Sequence, residues 1–326
     1  MRTITFREAI REALIEEMEA DSRVFIMGED IGVYGGARGV TRGLVEKFGE
    51  ERVRDTPLSE TAIIGGGMGA ALAGMRPVCE LMLMGFTAVC FDEIQNLAGK
   101  WPFIHGEPQF KVPMVIRGPF GAGPGGVEPH AQCPEAFFMH CPGLIVVLPS
   151  TPHDAKGLLK TAIRDEHTVL FFEHERLYGT EGPVPEGTYA LPFGKAEIRR
   201  KGKDVTVVAT AYMVFQALTA AQGLAEKGID LEVIDPRTLV PLDEETILES
   251  IHKTGRLIIV HEAYERGGSG AEIAAMVCEK GFHDLRAPIL RLGAPNYPIP
   301  YSPALKKHYF PGAEGIESAV QKLLKD

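Results

Sequence analysis

Apolar residues recur near helical spacing over residues 4–19, where Ile4, Ala9, Ala13, Leu14 and Met18 oppose a cluster of acids. That pattern predicts an amphipathic helix. VFIMGED (24–30) is a short apolar run closed by a glycine and two acids, which predicts a buried parallel strand ending in a loop. DTPLSETAIIGGGMGAALAGMRPVCELML (55–83) predicts a loop, a helix of small residues, a turn at Arg76-Pro77 and a strand. GGGMGAALAG would make a poor isolated helix, so its small residues imply close backbone packing. FTAVCFDEIQNLAGK (86–100) predicts another helix, and VPMVIRG (112–118) another buried strand leading into the loop PFGAGPGGVEPHAQ. LIVVLPS (144–150), DAKGLLKTAIRD (154–165) and VLFFEH (169–174) predict a strand–helix–strand unit.

A stretch rich in glycine and proline follows, YGTEGPVPEGTYALPFGKAEIRRKGK (178–203), with no long period. Beyond it strands alternate with helices again: DVTVVAT, a helix over 211–227, LEVIDPRTL, a helix near 243–251, RLIIVHEA, a helix near 269–281, and PILRLGA. The expected fold class is α/β, with a doubly wound, mostly parallel sheet in each of two domains. The expected division is residues 1–185, a linker over 186–202, and residues 203–326.

Composition changes this picture little. Hydrophobic residues make up 45% and charged residues 24% of the 326, which is globular composition. The net charge of -10 repels nucleic-acid phosphates and anionic membrane, so neither is an expected partner. The N-terminal segment has no apolar run of signal-peptide type and carries acids that argue against a transit peptide. No run of about 18 apolar residues is present. The five cysteines form no CxxC pair, and reduced thiols in a cytoplasmic protein are expected.

Several stretches could carry chemistry. Glu60 lies between a proline-containing loop and an apolar helix start. It can be read as an ordinary helix-start acid beside a capping Ser59, or as a carboxylate held in apolar surroundings for one heteroaromatic nitrogen. GAGPGG in 121–126 lacks the Lys-Ser/Thr of a nucleoside-triphosphate loop, and GGGMG (65–69) follows a loop and not a strand, against a dinucleotide site. His130 ends a glycine loop after a buried strand, where parallel sheets collect function, although a lone histidine is more often structural. His130, Cys133, His140 and Cys141 include zinc-ligand types without a zinc spacing. Gly267, Gly268 and Gly270 precede a helix start and can be read as an anion site or as a tight strand-to-helix turn.

Taken together, MGEDIGVYGGARGVTRGL, RVRDTPLSE, GMRPVCELM, VPMVIRGPFGAG, PSTPHDAKGLLKTAIRD, EHERLYG, VIDPRTLVPLD, GGSGAEIAA and PNYPIPYSPALKKHYFP run in family order over essentially the whole chain. They resemble the beta subunit of the thiamine-diphosphate-dependent 2-oxo acid dehydrogenase decarboxylase component, a family that includes pyruvate, branched-chain and acetoin dehydrogenases. The resemblance implies a thiamine-diphosphate-binding pyrimidine domain followed by a transketolase C-terminal-like domain. It implies that Glu60 contacts N1′ of the thiamine aminopyrimidine, that Phe86 stacks on that ring with Leu58 and Met82 as apolar neighbours, and that His130 and Tyr34 stand near the substrate. It also implies a potassium site at the main chain of Met114, Ala162, Ile163, Asp165 and His167.

The chain departs from that family in having Pro129 and Ala131 where polar residues usually flank the histidine, and Val89 where many relatives carry glutamine. RPVCELM and the Cys90 region are slightly closer to acetoin-type members. The chain contains no GDG stretch, the family's Mg2+ and diphosphate motif. The resemblance therefore implies an alpha subunit that binds Mg2+ and completes the thiamine diphosphate site in an α2β2 assembly. It further implies a lipoyl acyltransferase core as partner and a small-molecule substrate. A single-chain transketolase-like enzyme would need the missing metal-binding domain. A non-catalytic beta-like subunit would have no need of Glu60, Phe86 and His130.

Overall fold

Thr5 starts the first helix with a reciprocal cap: its side chain accepts from the Glu8 amide, and the Glu8 carboxylate accepts from the Thr5 amide. In the computed structural model, which describes residues 1–106, 111–123 and 130–325, this cap ends β1 (Arg2–Thr5) and opens α1 (Phe6–Ala20). Ile4 thus belongs to a strand and not to the expected helix, because residues 2–5 pair antiparallel with β8 (Glu181–Val184).

The N-terminal half continues with β2 (Val24–Gly28), α2 (Leu44–Phe48), β3 (Val53–Asp55), α3 (Glu60–Leu72) and β4 (Arg76–Glu80). The helix expected over 86–100 is instead a 3-10 turn at Met84–Ala88, a π-helical segment at Glu93–Gly99 and the short α4 (Trp101–His105). Packing decides this: a Cβ on Gly99 would stand 3.0 Å from the Leu144 side chain and 3.1 Å from the Pro142 carbonyl, a contact that local periodicity does not report. Then come β5 (Met114–Phe120), α5 (Glu135–Met139), β6 (Leu144–Val147), α6 (Pro152–Arg164) and β7 (Thr168–His174). The C-terminal half contains β9 (Glu197–Arg200), β10 (Val205–Ala209), α7 (Met213–Ala225), β11 (Leu231–Asp235), β12 (Thr238–Val240) and α8 (Glu244–Thr254). It closes with β13 (Leu257–Tyr264), α9 (Ser269–Lys280), β14 (Leu290–Ala294), α10 (Pro303–Lys306) and α11 (Ala313–Leu323).

Among the described residues the first sheet runs β12-β6-β7-β5-β4-β2-β3 and the second β14-β13-β10-β11-β9. All neighbours pair parallel except β12 on β6 and β9 on β11. β12 comes from the C-terminal half yet joins the first sheet, and β9, within the expected linker stretch, joins the second. Arg199 of β9 binds Asp235 of its own sheet at 2.7 Å and reaches Asp154 of α6 in the first half, while Arg237 reaches Asp154 and Glu197 at 2.9 Å each.

The first sheet is buried on both faces. Phe6, Ile10 and Leu14 of α1 pack with Leu158 and Leu159 of α6 on one side, and Ile63, Ile64 and Met68 of α3 with Phe138 and Phe172 on the other. The glycines of α3 serve the second face. A Cβ on Gly67 would lie 2.4 Å from Cys79 Sγ and 2.9 Å from Met114 Sδ. Glycine costs about 1 kcal/mol per helical position, and here it lets α3 lie directly on β4 and β5.

Glu135, at the start of α5, is buried and its Oε2 meets no partner. Burial raises its carboxyl to about 7, a backbone hydrogen bond opposing the rise and Glu262 adding to it. The folded chain therefore keeps a proton that the unfolded chain loses near its ordinary value of 4.5. Stability from this group is full below that value and falls as pH rises to about 7. Glu135→Gln should gain on wild type by about 3 kcal/mol across this window. Urea unfolding at a series of pH values checks it, and a pH-independent offset between the two chains would contradict it.

Candidate active site

The carboxyl ends of β2, β3, β4 and β5 face the same way, and the loops leaving them build one cleft. Asp55, at the end of β3, accepts from the Gly32 amide at 2.7 Å and so fixes the loop after β2 that carries Val33 and Tyr34. The chain then passes Leu58 and enters α3 at Glu60. The Ser59 side chain makes no cap hydrogen bond, against the simple capping expectation, and Glu60 is the acid in the positive first turn. Glu60 is only 6% exposed, and among the described residues no hydrogen-bond donor reaches its carboxylate.

Glu29, at the mouth of β2, faces it. Burial raises the Glu29 carboxyl, followed by the charges of Glu60 and Asp30. Its Oε1 is buried without a partner. The sequence reading passed over Glu29, although an acid directly after a buried strand was a usable signal.

The opposite wall is the 3-10 turn. Thr61 Oγ1 donates to the Val89 carbonyl at 3.2 Å, which ties the start of α3 to this turn. Phe86 and Met82 are half-buried here, and Phe86 meets the ring of His130 edge-on at 5.7 Å and 88°. The structure thus joins Phe86 to His130 by a ring contact and, through Thr61, ties the helix start that carries Glu60 to the same turn. Leu58, Tyr34 and Val33, on the loops that leave β3 and β2, are 77%, 69% and 84% exposed, and Val89 is also exposed. Ala131 does not line the cleft; it is buried against Ala294, Ile299 and Tyr309 of the C-terminal half. Pro129 lies outside the described residues.

Arg117, fully buried, underpins the ends of the strands. It pairs with Glu80 of β4 and Glu173 of β7, the latter also through Nη2 at 2.6 Å, and Tyr178 donates to Glu173 at 2.7 Å. Burial pushes the Glu80 carboxyl up, and Arg117 opposes that rise.

The main-chain set expected to hold potassium is partly engaged. Arg76 Nη1 donates to the Ile163 carbonyl at 3.0 Å and to the Asp165 carbonyl at 2.9 Å. Asp165 Oδ1 accepts from the His167 amide at 2.8 Å, while Met114 and Ala162 are buried in the two core layers. Gly268, Gly270 and Gly293 make room for the His261 ring: a Cβ at any of them would come within 2.6–2.9 Å of it. Gly267 has φ +69°, and the turn reading of Gly267, Gly268 and Gly270 is the one the geometry favours. Among the described residues no group of three or more His, Cys, Asp or Glu side chains could hold a metal ion, and no helix is long and apolar enough to cross a membrane.

Two parallel-sheet domains with an acid-bearing cleft at the strand ends define a transketolase-like α/β protein. A family model for the transketolase pyrimidine binding domain matches residues 2–181, and one for the transketolase C-terminal domain matches residues 194–316. The acetoin:2,6-dichlorophenolindophenol oxidoreductase subunit beta of Cupriavidus necator is 47% identical, over 99% of this chain and 98% of that one. The 2-oxoisovalerate dehydrogenase subunit beta of Bacillus subtilis is 45% identical over 99% of each. The pyruvate dehydrogenase E1 component subunit beta of Rhizobium meliloti is 45% identical over 98% of this chain and 70% of that one. A solved split-gene transketolase, described as an inactive beta4 tetramer, superposes with a TM-score of 0.81 at 25% identity, over 99% of this chain and 98% of that one. The chain belongs to the family of 2-oxo acid and acetoin dehydrogenase beta subunits, thiamine-diphosphate-dependent oxidoreductases of transketolase-like fold.

Removing Arg117 would leave two carboxylates buried together without a counter-charge. Arg117→Met should cost about 3–5 kcal/mol. Denaturant titration of the purified chain reads this loss, and a wild-type midpoint would show that the network is dispensable.

Proposed function

We propose that this chain is the beta subunit of a heterotetrameric 2-oxo acid dehydrogenase decarboxylase component, acting on pyruvate or a branched-chain 2-oxo acid and passing the acyl group to lipoamide. The observation that carries the proposal is Glu60: a carboxylate only 6% exposed that meets no donor among the described residues, at a helix start tied to the turn that carries Phe86. These groups fit an aminopyrimidine, which offers a basic ring nitrogen to a carboxylate and an aromatic face to a phenylalanine.

Thiamine diphosphate, when bound, supplies a thiazolium that holds the electron pair released at the substrate carbonyl carbon. Glu60 holds or takes a proton at the ring nitrogen N1′, with Leu58 and Met82 keeping water from that contact. Glu29 stands beside it, its carboxyl raised first by burial and then by the charge of Glu60. His130, exposed at the edge of Phe86, is placed to stabilise charge near the substrate or to guide acyl transfer. Tyr34 lies at the substrate mouth. Mg2+ and the diphosphate fall to an alpha subunit, since this chain has no GDG stretch. The exposed apolar side chains of Val33, Leu58 and Val89 support such a cover. The solved relative described as an inactive beta4 tetramer also supports a need for a second subunit. Potassium at the main chain of Met114, Ala162, Ile163, Asp165 and His167 stays part of this reading, with two of those carbonyls also accepting from Arg76. The C-terminal domain is the face offered to a lipoyl acyltransferase core, and the location is cytoplasmic.

A second reading is cleavage of acetoin to acetyl-lipoamide and acetaldehyde. The 47% identity to the acetoin-named relative favours it. A panel of pyruvate, branched-chain 2-oxo acids, 2-oxobutyrate and acetoin, run on the α2β2 assembly with an artificial electron acceptor, separates the two.

The lone chain should bind thiamine diphosphate weakly, and co-expression with the alpha subunit should give Mg2+-dependent tight binding by calorimetry. Tight binding by the lone chain would refute the shared site. In the assembly, Glu60→Gln should abolish exchange of the thiamine C2 proton, followed by NMR; wild-type exchange would remove Glu60 from its assigned role.

A further inference from the structure

His174 ends β7 in the first domain, and Glu262 lies near the end of β13 in the second. Both are buried, and His174 Nε2 stands 3.0 Å from Glu262 Oε2. The two carboxylate oxygens have different tasks, because Oε1 accepts from the amide of Ala122. His174 Nδ1 accepts from the Arg176 amide at 3.2 Å, which leaves the ring proton on Nε2 and makes that atom the donor to Glu262. The ring is held flat against Tyr212 of the C-terminal half at 5.3 Å and 18°, with the edge of Phe120 at 5.2 Å. Arg176 Nε donates to the Ala122 carbonyl at 2.8 Å, and its guanidinium lies over Tyr212. Ala122 is therefore gripped at both its amide and its carbonyl.

This grip bears on the glycine loop that ends at His130. Gly121 has φ +77°, and a Cβ there would lie 2.5 Å from His174 Nε2 and 2.9 Å from Glu262 Oε1. Only glycine lets the chain pass so close to the pair. The Gly121 amide donates to the Gln132 carbonyl at 3.2 Å, which joins the two described ends of the loop. Ala122 and Ala131 both pack against Ala294, Ile299 and Tyr309. Burial alone would raise the Glu262 carboxyl, yet His174, the Ala122 amide and Arg176 bring it below its ordinary value, so it stays ionised and a strong acceptor.

We propose that His174 and Glu262 are positioning residues: an interdomain clasp that fixes both ends of the glycine loop and thereby holds His130 against Phe86 at the mouth of the Glu60 cleft. The clasp makes the approach of the C-terminal domain a condition for an ordered site. It rests on the proposed function only in so far as His130 acts on the substrate there.

Three variants test it, as the full chain and as the α2β2 assembly. His174→Leu removes the donor at similar bulk. Glu262→Gln cannot accept at both oxygens, so one of its two donors loses its partner. His174→Gln places an amide Nε2 near the original Nε2 and keeps the donor. In His174→Leu and Glu262→Gln, hydrogen exchange at Ala122 and at residues 130–132 should speed up, with α1 and α7 unchanged. Turnover in the assembly should fall about tenfold to a hundredfold, at an unchanged half-saturation for thiamine diphosphate. His174→Gln should restore both readouts. Wild-type exchange in His174→Leu and Glu262→Gln overturns the clasp, and so does a His174→Gln chain as damaged as His174→Leu. If the wild-type assembly shows no thiamine-dependent turnover, the proposed function fails, and exchange in the free chain still decides the clasp.

Discussion

The approach of α3 to the first sheet sets everything at the cleft. Gly67 brings the helix axis so close to β4 and β5 that a single methyl would strike Cys79 and Met114. A helix at ordinary distance would lift its first turn away from the strand ends, and Glu60 with it. The close contact is worth more than the poor helix propensity it requires. It aims a helix start, with its partial positive charge, at the strand ends where Glu29 and Glu80 also gather. Acids can collect there because each is managed differently. Glu80 shares Arg117 with Glu173, burial pushes the Glu29 carboxyl up, and Glu60 meets no donor among the described residues.

The second constraint is the exchange of single strands between the domains. β12 extends the first sheet from the second half of the chain, and β9 reaches the second sheet from the connecting stretch. Such exchange, with the Arg199–Asp154 and Arg237–Asp154 ion pairs between the two halves, opposes free relative motion of the domains. A fixed seam is what allows residues of the C-terminal domain to order a loop of the pyrimidine-binding domain.

The sequence reveals what local period and close packing of like with like can encode. Alternating apolar strands and helices made both parallel-sheet domains legible, and the run of stretches in family order pointed to Glu60, Phe86 and His130. Local period failed at residues 86–100, where the Gly99–Leu144 contact and the exposed wall of the cleft override helix propensity. It failed again for partners distant in the chain. His174 and Glu262 are 88 residues apart, and Arg76 and Asp165 are 89 apart. No spacing rule joins such pairs, and the glycine at 121 reads as a loop residue until the groups it must clear are known. Ala131 shows the same limit: as a departure beside a candidate histidine it suggested an altered cleft, yet its methyl faces the other domain.

A mostly buried carboxylate that meets no donor among the described residues leaves hydrogen-bonding capacity unused, and large apolar side chains left in water are unfavourable too. Both costs occur together here, at Glu60 and at Val33, Leu58 and Val89. Each alone has an ordinary explanation: a helix-start acid tolerates its place, and scattered apolar residues are common on surfaces. Their coincidence in the segments that leave β2, β3 and β4 is harder to reconcile with a self-sufficient fold. A flat aromatic ligand would satisfy the acid but leave the apolar side chains wet. A second subunit would cover them but leave the acid unpaired. Only the two together remove both costs, so binding of the ligand and docking of the partner should each strengthen the other.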